Sequence, residues 1–154
     1  MNKRAFSGFV FLVFVGNLFS IPVTAGEFVI DDVTVHYSLV NSSVIEPKIS
    51  TLYNLKRSKN RALLNISVVK NLTKEDTREG KVKGLTANIF GQAVTLVGHL
   101  KKLDFKEIKE ENAVYYIATF PISNGERLSF DLKIQPNKVG KLIPIKFKQQ
   151  VYTH

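Results

Sequence analysis

The chain has 154 residues, with 22 Lys and Arg against 13 Asp and Glu, and a formal net charge of +9. It contains no cysteine, which excludes disulfides, thiol nucleophiles, thiolate metal ligands and a lipid-modified amino-terminal cysteine. The three histidines, His36, His99 and His154, stand singly, and their spacing does not match a metal-binding helix or loop. We therefore expect neither a metal nor a cofactor.

Residues 1–25 have the pattern of a secretory signal peptide. A basic start precedes an apolar run over residues 5–21, and Val23 and Ala25 are the small residues that a signal peptidase needs. A retained membrane anchor is the alternative, but glycine and asparagine interrupt the run and no basic stop-transfer cluster follows. We expect cleavage after Ala25, which leaves one domain over residues 26–154 without a transmembrane anchor. Export without cysteine favours the periplasm of a Gram-negative bacterium.

The charge of the exported part favours an anionic partner. The leader carries two cations and no acid, so 20 basic residues face 13 acidic ones, a net charge of +7. Export excludes nucleic acid and leaves anionic lipid, lipopolysaccharide phosphates, cell-wall polymers or an acidic protein surface. The alternative is that the charge only keeps a small protein soluble. The sequence does not indicate an oligomeric state.

Alternation of apolar and polar residues predicts about eight strands. The clearest runs cover residues 33–39, 128–135 and 143–148, each with one buried and one solvated face. Residues 62–69 and 113–120 are apolar on both faces, which predicts interior strands. Short turns rich in Asn, Gly and Pro connect these runs.

One short helix interrupts the strands. Pro47 suits the first helical position, and Ile49, Leu52 and Tyr53 follow at helical spacing. We place this helix between the first two predicted strands, over an open end of the core. Many short strands with one helix predict an all-β antiparallel sandwich of immunoglobulin-like topology. A ligand-carrying up-and-down barrel is the alternative.

The aromatic residues are predicted to belong mainly to the core. The phenylalanines in strand-like runs are Phe90, Phe105, Phe120, Phe130 and Phe147. Tyr115 and Tyr116 are neighbours in a strand, so one faces inward and the other outward. An exposed Tyr115 would suit a contact with a polymer or a peptide.

The most pointed polar feature is the basic turn, Lys56-Arg-Ser-Lys-Asn-Arg61, between the helix and the next strand. Its cations are Lys56, Arg57, Lys59 and Arg61. The arginines offer bidentate forks to a phosphate or carboxylate, and the lysines act as point charges. The alternative is a solvated turn in which Asn60 shapes the backbone and the arginines cap carbonyls or pair with acids.

The residues carry no recognisable catalytic pattern, since the chain lacks a glycine-rich phosphate loop and a nucleophile elbow. We favour a non-enzymatic binding module that uses the basic turn or an open strand edge. Its partner would be an envelope protein or an anionic envelope component. A carrier that encloses an apolar ligand or lipid is the alternative. An envelope hydrolase built from His36, His99 and an acid is third.

Several short motifs resemble one family. Arg57-Ser-Lys-Asn-Arg61 runs into Leu64-Asn-Ile-Ser-Val68, and three further stretches follow in order: Asn88-Ile-Phe-Gly-Gln92, Leu103-Asp-Phe-Lys-Glu-Ile108 and Ala113-Val-Tyr-Tyr116. They resemble the small exported gammaproteobacterial family called domain of unknown function four-four-two-six. The resemblance implies a periplasmic β-sandwich protein with no established activity. It supplies no catalytic or binding residues.

Overall fold

The computed structural model describes residues 24–71, 84–111 and 113–153. In these ranges the strands are β1 (Thr24–Ile30), β2 (Val33–Asn41), β3 (Arg61–Lys70), β4 (Ala87–Thr95), β5 (Leu100–Lys102), β6 (Lys106–Lys109), β7 (Val114–Pro121), β8 (Glu126–Pro136) and β9 (Ile143–Val151). A 3-10 turn (Ser42–Val44) and the helix α1 (Pro47–Leu52) lie between β2 and β3. Residues 1–23 of the predicted leader and His154 lie outside the described residues.

The strands form two antiparallel sheets. Sheet A has the order β1-β2-β3-β7-β6, and sheet B has the order β5-β4-β8-β9. Without β1, the orders β2-β3-β7-β6 and β5-β4-β8-β9 correspond to the A-B-E-D and C′-C-F-G sheets of immunoglobulin-like sandwiches. The predicted all-β immunoglobulin-like sandwich is therefore confirmed. The strand β1, which pairs along β2, was not among the predicted strands, so the helix follows the second strand of the fold and not the first.

A column of aromatic rings crosses the core between the two sheets. Tyr37 of sheet A stacks on Phe147 of sheet B at a centroid distance of 4.2 Å. Phe147 stacks on Phe130 at 4.6 Å, and Phe130 meets the edge of Phe120, back in sheet A, at 5.9 Å. Offset and edge-to-face pairs are the favoured geometries of aromatic rings. This column joins the inner faces of the sheets.

A second apolar cluster lies on the outer face of sheet A. The sheet contributes Val40, Leu63, Ile108, Tyr115 and Ile117. The covering segment (residues 42–55), which contains α1, contributes Ile45 and Leu55, with Val44, Ile49 and Tyr53 partly buried against them. The helix therefore covers the outer face of a sheet and not an open end of the core. This cover explains why β3 is buried on both faces, as its apolar run predicts.

Two aromatic predictions need correction. Tyr115 faces outward from sheet A, but the second cluster buries it to 8 % exposure. Phe90 is 57 % exposed, because the neighbouring Gly91 takes the inward position of β4. A Cβ on Gly91 would lie 2.9 Å from the carbonyl oxygen of Asp131 in the neighbouring strand β8, so β8 leaves no room for a side chain there. Strand alternation then directs Phe90 to the solvated face.

None of the helical segments in the described ranges has both the length and the apolar character needed to span a membrane.

Candidate binding site at the basic turn

The backbone of the basic turn is fixed by side chains at the end of β2. Ser42 is fully buried; its Oγ donates to the carbonyl oxygen of Ser58 at 3.0 Å and accepts from the amide of Ser58 at 3.0 Å. The Nδ2 of Asn41 donates to the carbonyl oxygen of Lys59 at 2.6 Å. These bonds satisfy backbone groups that a free turn would leave to water. The turn is therefore held in one conformation.

The two arginines of the turn also contribute to its structure. Arg57 donates from Nη2 to the carbonyl oxygen of Ser43 at 2.9 Å. Arg61 donates from Nη2 to the carbonyl oxygen of Thr119, at 2.8 Å, and to its Oγ1, at 3.2 Å. Both arginines thus donate to backbone carbonyl oxygens, as the alternative interpretation of the sequence predicts. Each guanidinium still has further donors, since it carries five N–H groups in all.

The charge of the basic turn is not neutralised by any acid in the part of the chain that the structure describes. Lys56, Arg57 and Lys59 are exposed. Among the described residues, no carboxylate forms an ion pair with any of the four cations of the turn. Ion pairs do form at five other lysines: Lys101, Lys102, Lys109, Lys138 and Lys146. The fold thus brings the predicted cations together on a braced turn that projects net positive charge.

The histidines of the hydrolase hypothesis lie on different sheets. His36 is on the outer face of sheet A, where its Nδ1 lies 3.4 Å from Glu27 Oε2. His99 is exposed in the loop between β4 and β5 of sheet B. Val35 and Tyr37, on either side of His36, face the inner core, so His36 faces away from sheet B. In the ranges that the structure describes, no group of three or more His, Asp or Glu is placed to hold a metal.

A cleft of about 290 Å³ lies at one end of the sandwich, where the β1–β2 and β8–β9 turns meet. Its lining residues are Ile30, Asp31, Asp32, Val33, Lys70, Leu85, Pro136, Asn137, Val139, Lys141 and Ile143. The cleft is open to solvent and mixes charged with apolar side chains. It differs in both respects from the enclosed apolar cavity that a lipid carrier would need.

A polar network that the sequence analysis missed joins the two sheets. Tyr116 Oη donates to Glu107 Oε2 at 2.7 Å and accepts from the amide of Ala87 at 2.6 Å. Lys138, in the β8–β9 turn, lies 2.9 Å from Glu107 Oε2, and Lys109 lies 3.2 Å from Oε1. The hairpin of β6 and β7 was predictable, but nothing local in the sequence indicates that Lys138 reaches it.

The network shifts the titration of both its central groups. The hydrogen bond from Tyr116, together with Lys138 and Lys109, lowers the pKa of Glu107 from 4.5 to about 2. Burial and the hydrogen bond to the Glu107 carboxylate raise the pKa of Tyr116. Both shifts favour the pair of an ionised carboxylate and a neutral phenol.

In Glu107→Gln, the free energy of unfolding should fall less steeply at acid pH than it does in the wild type. A carboxylate with a depressed pKa stabilises the fold fully above its unfolded value, and this contribution is lost as pH falls through the folded value. For Glu107 the window runs from pH 4.5 down to about 2. Urea unfolding followed by circular dichroism at a series of pH values should show a steeper loss in the wild type than in Glu107→Gln. Parallel curves across that window would contradict the assignment.

Comparison with known proteins agrees with this architecture. No curated protein matches the chain. The crystal structure of a DUF4426 family protein from Pseudomonas aeruginosa PAO1 is similar, with 29 % sequence identity and a TM-score of 0.70 over 83 % of this chain and 94 % of that chain. The model of the family described as a domain of unknown function, DUF4426, matches residues 27–154. The chain thus belongs to the DUF4426 family.

Proposed function

We propose that the protein is a non-enzymatic binding module of the bacterial cell envelope, exported to the periplasm, which engages an anionic partner through the basic turn. The partner is an envelope protein or another anionic envelope component. The observation that carries the proposal is the cluster of four cations within six residues, none of which pairs with a carboxylate among the described residues. The amino-terminal export pattern supports the proposed compartment.

The fixed backbone favours binding, because a turn that is already ordered loses little conformational entropy on association. Lys56 and Lys59 are exposed and supply mobile point charges. Arg57 is exposed as well and can offer its remaining N–H groups while Nη2 stays on Ser43. Arg61 anchors the turn to β7 through Thr119. We assign the first three to partner contact and Arg61 to positioning.

Capture from envelope extract tests this proposal. We expect Lys56→Ala/Lys59→Ala to reduce the yield of captured partner by about tenfold, since the loss of two charge-assisted contacts amounts to about 1.4 kcal/mol or more. The yield from the wild type should fall with salt in the same direction. The arginines are left in place in this variant because both support the turn.

The matched control is Lys48→Ala/Lys141→Ala, which removes the same charge from two other exposed positions. It should capture as much partner as the wild type. Equal yields from all three proteins would eliminate the basic turn as the site, and a strand edge would then be the remaining route for a binding module.

A further inference from the structure

The hairpin of β4 and β5 ends in a tight turn, with three residues (96–98) between the hydrogen-bonded pair Thr95 and His99. The amide of Gly98 donates to the carbonyl oxygen of Thr95 at 3.0 Å, and the amide of Thr95 donates to the carbonyl oxygen of His99 at 3.0 Å. Gly98 has a φ of +85°. This is a tight turn closed by a left-handed glycine, one of the common hairpin connections. Leu96 and Val97 occupy its two central positions.

The chemistry of this loop is unusual for its position. Central turn positions usually carry polar residues or glycine, but Leu96 and Val97 are 77 % and 78 % exposed, and the nearby Leu100 is 67 % exposed. The turn geometry requires only the glycine, so these side chains do not contribute to it. Neighbouring exposed apolar side chains are typical of interaction surfaces. We call residues 96–100 the hairpin tip.

The tip continues into the solvated face of sheet B, the basic outer face. Val94 pairs with Leu100 on this face, and Phe90 pairs with Lys133. The outward positions of the four strands carry five cations, Lys102, Arg127, Lys133, Lys146 and Lys148, against one acid, Asp131. An apolar strip along β4 and β5 therefore lies beside a basic strip along β8 and β9.

We propose that the hairpin tip and the basic outer face dock on an anionic lipid surface. The tip is a narrow convex projection, which a fluid headgroup layer can accept without a matching groove. Apolar side chains at the headgroup boundary, combined with cations over anionic lipid, are the two contributions that bind peripheral proteins to membranes. This surface is on the opposite sheet from the basic turn, so the inference goes beyond the proposed binding of a partner there.

The composition of the face favours lipid over a protein partner. Four of its five cations are lysines, which are depleted at protein interfaces, and the arginine and aromatic anchors that dominate such interfaces are few. Lysine side chains are flexible, so their ammonium groups can contact lipid phosphates that move within the membrane surface. Lys146 and Lys102 are 72 % and 83 % exposed, although each contacts a carboxylate, Asp131 and Asp104 respectively.

Vesicle flotation tests the proposal. The sample is the protein purified from its native host, after any processing of the full chain there. The probes are vesicles of pure phosphatidylglycerol and of pure phosphatidylcholine. The wild type should float with the first and bind the second at least tenfold more weakly. Leu96→Ser/Val97→Ser should lower binding to phosphatidylglycerol by about tenfold or more, and Lys133→Gln/Lys148→Gln should do so by a similar factor. All four positions are on the surface, so circular dichroism and thermal melting should match the wild type.

Lys48→Ala/Lys141→Ala, which removes two exposed lysines outside both proposed surfaces, serves as the control, and its binding to vesicles should equal that of the wild type. The two proposals stay separable, because partner capture tests the basic turn and vesicle binding tests the opposite sheet. The lipid proposal is overturned if the wild type does not float with phosphatidylglycerol, or if both variant pairs bind as well as the wild type. Loss of an acidic protein partner in these variants, without vesicle binding by the wild type, would also overturn it.

Tryptophan fluorescence tests directly whether the hairpin tip enters the headgroup layer. The chain contains no tryptophan, so Val97→Trp introduces a single reporter at the most exposed apolar position. Its emission should shift to the blue when phosphatidylglycerol vesicles are added and should stay unchanged with phosphatidylcholine. An unshifted spectrum on bound protein would show that the tip does not enter the headgroup layer, and this would overturn the proposal.

Discussion

Phe130→Ala should lower the free energy of unfolding by about 3–5 kcal/mol, the usual cost of removing a buried ring and leaving a cavity. Phe130 is 1 % exposed and occupies the middle of the aromatic column, where it contacts both Phe147 and Phe120. Its loss removes two ring contacts and leaves the sheets poorly packed at their centre. Denaturant unfolding followed by circular dichroism measures the change.

Phe90→Ala is the matched control. It makes the same substitution in the same sheet, but on the solvated face, where Phe90 is 57 % exposed. Its free energy of unfolding should stay within about 0.5 kcal/mol of the wild type. Similar losses in both variants would show that the aromatic column does not carry the packing of the core.

Tyr116→Phe should lower the free energy of unfolding by about 2–3 kcal/mol. The hydroxyl group is the acceptor for the amide of Ala87, which is 2 % exposed, and a buried donor without a partner costs about 1–3 kcal/mol. The same hydroxyl donates to the ionised Glu107, and such charge-assisted bonds are stronger than neutral ones. One bond between the sheets, from Ala87, and one within sheet A, to Glu107, are therefore lost together.

Tyr53→Phe provides the comparison for Tyr116→Phe, because the Tyr53 hydroxyl forms no hydrogen bond with any residue in the described ranges and the residue is only half-buried. Its effect should be close to zero. The Tyr116→Phe/Glu107→Gln double variant should lose less than the sum of the single variants, since the two residues share a bond. Full additivity would mean that this hydrogen bond does not form in solution.

The architecture was predictable because its local and global signals agree. The alternation in β8 and β9 and the apolar runs of β3 and β7 each correspond to the observed burial. Pro47 begins the helix, as its position in the sequence predicts. The strand β1 was missed because its first residues, Thr24 and Ala25, were assigned to the predicted leader. The composition there is compatible both with the end of a leader and with the start of a strand.

The candidate binding surfaces depend on tertiary arrangement and were harder to predict. The cations of the basic turn are adjacent in sequence and could be found there. Their bracing by Ser42, from the end of β2, is visible only in the fold. Phe90 was assigned to the core on its residue type, because composition alone does not show that Gly91 takes the inward position. The partnership of Lys138 with Glu107 likewise depends on a turn of the opposite sheet.

The covering segment connects the basic turn to the buried face of sheet A. Its apolar side chains shield Leu63 and Ile117 of the central strands, and its first residue, Ser42, holds the turn through Ser58. A force applied to the turn by a bound molecule would therefore pass into the middle of sheet A and would not be absorbed by a slack loop. Displacing the covering segment would expose the second apolar cluster to water. A molecule bound at the basic turn would therefore pull on a segment whose apolar side chains are buried.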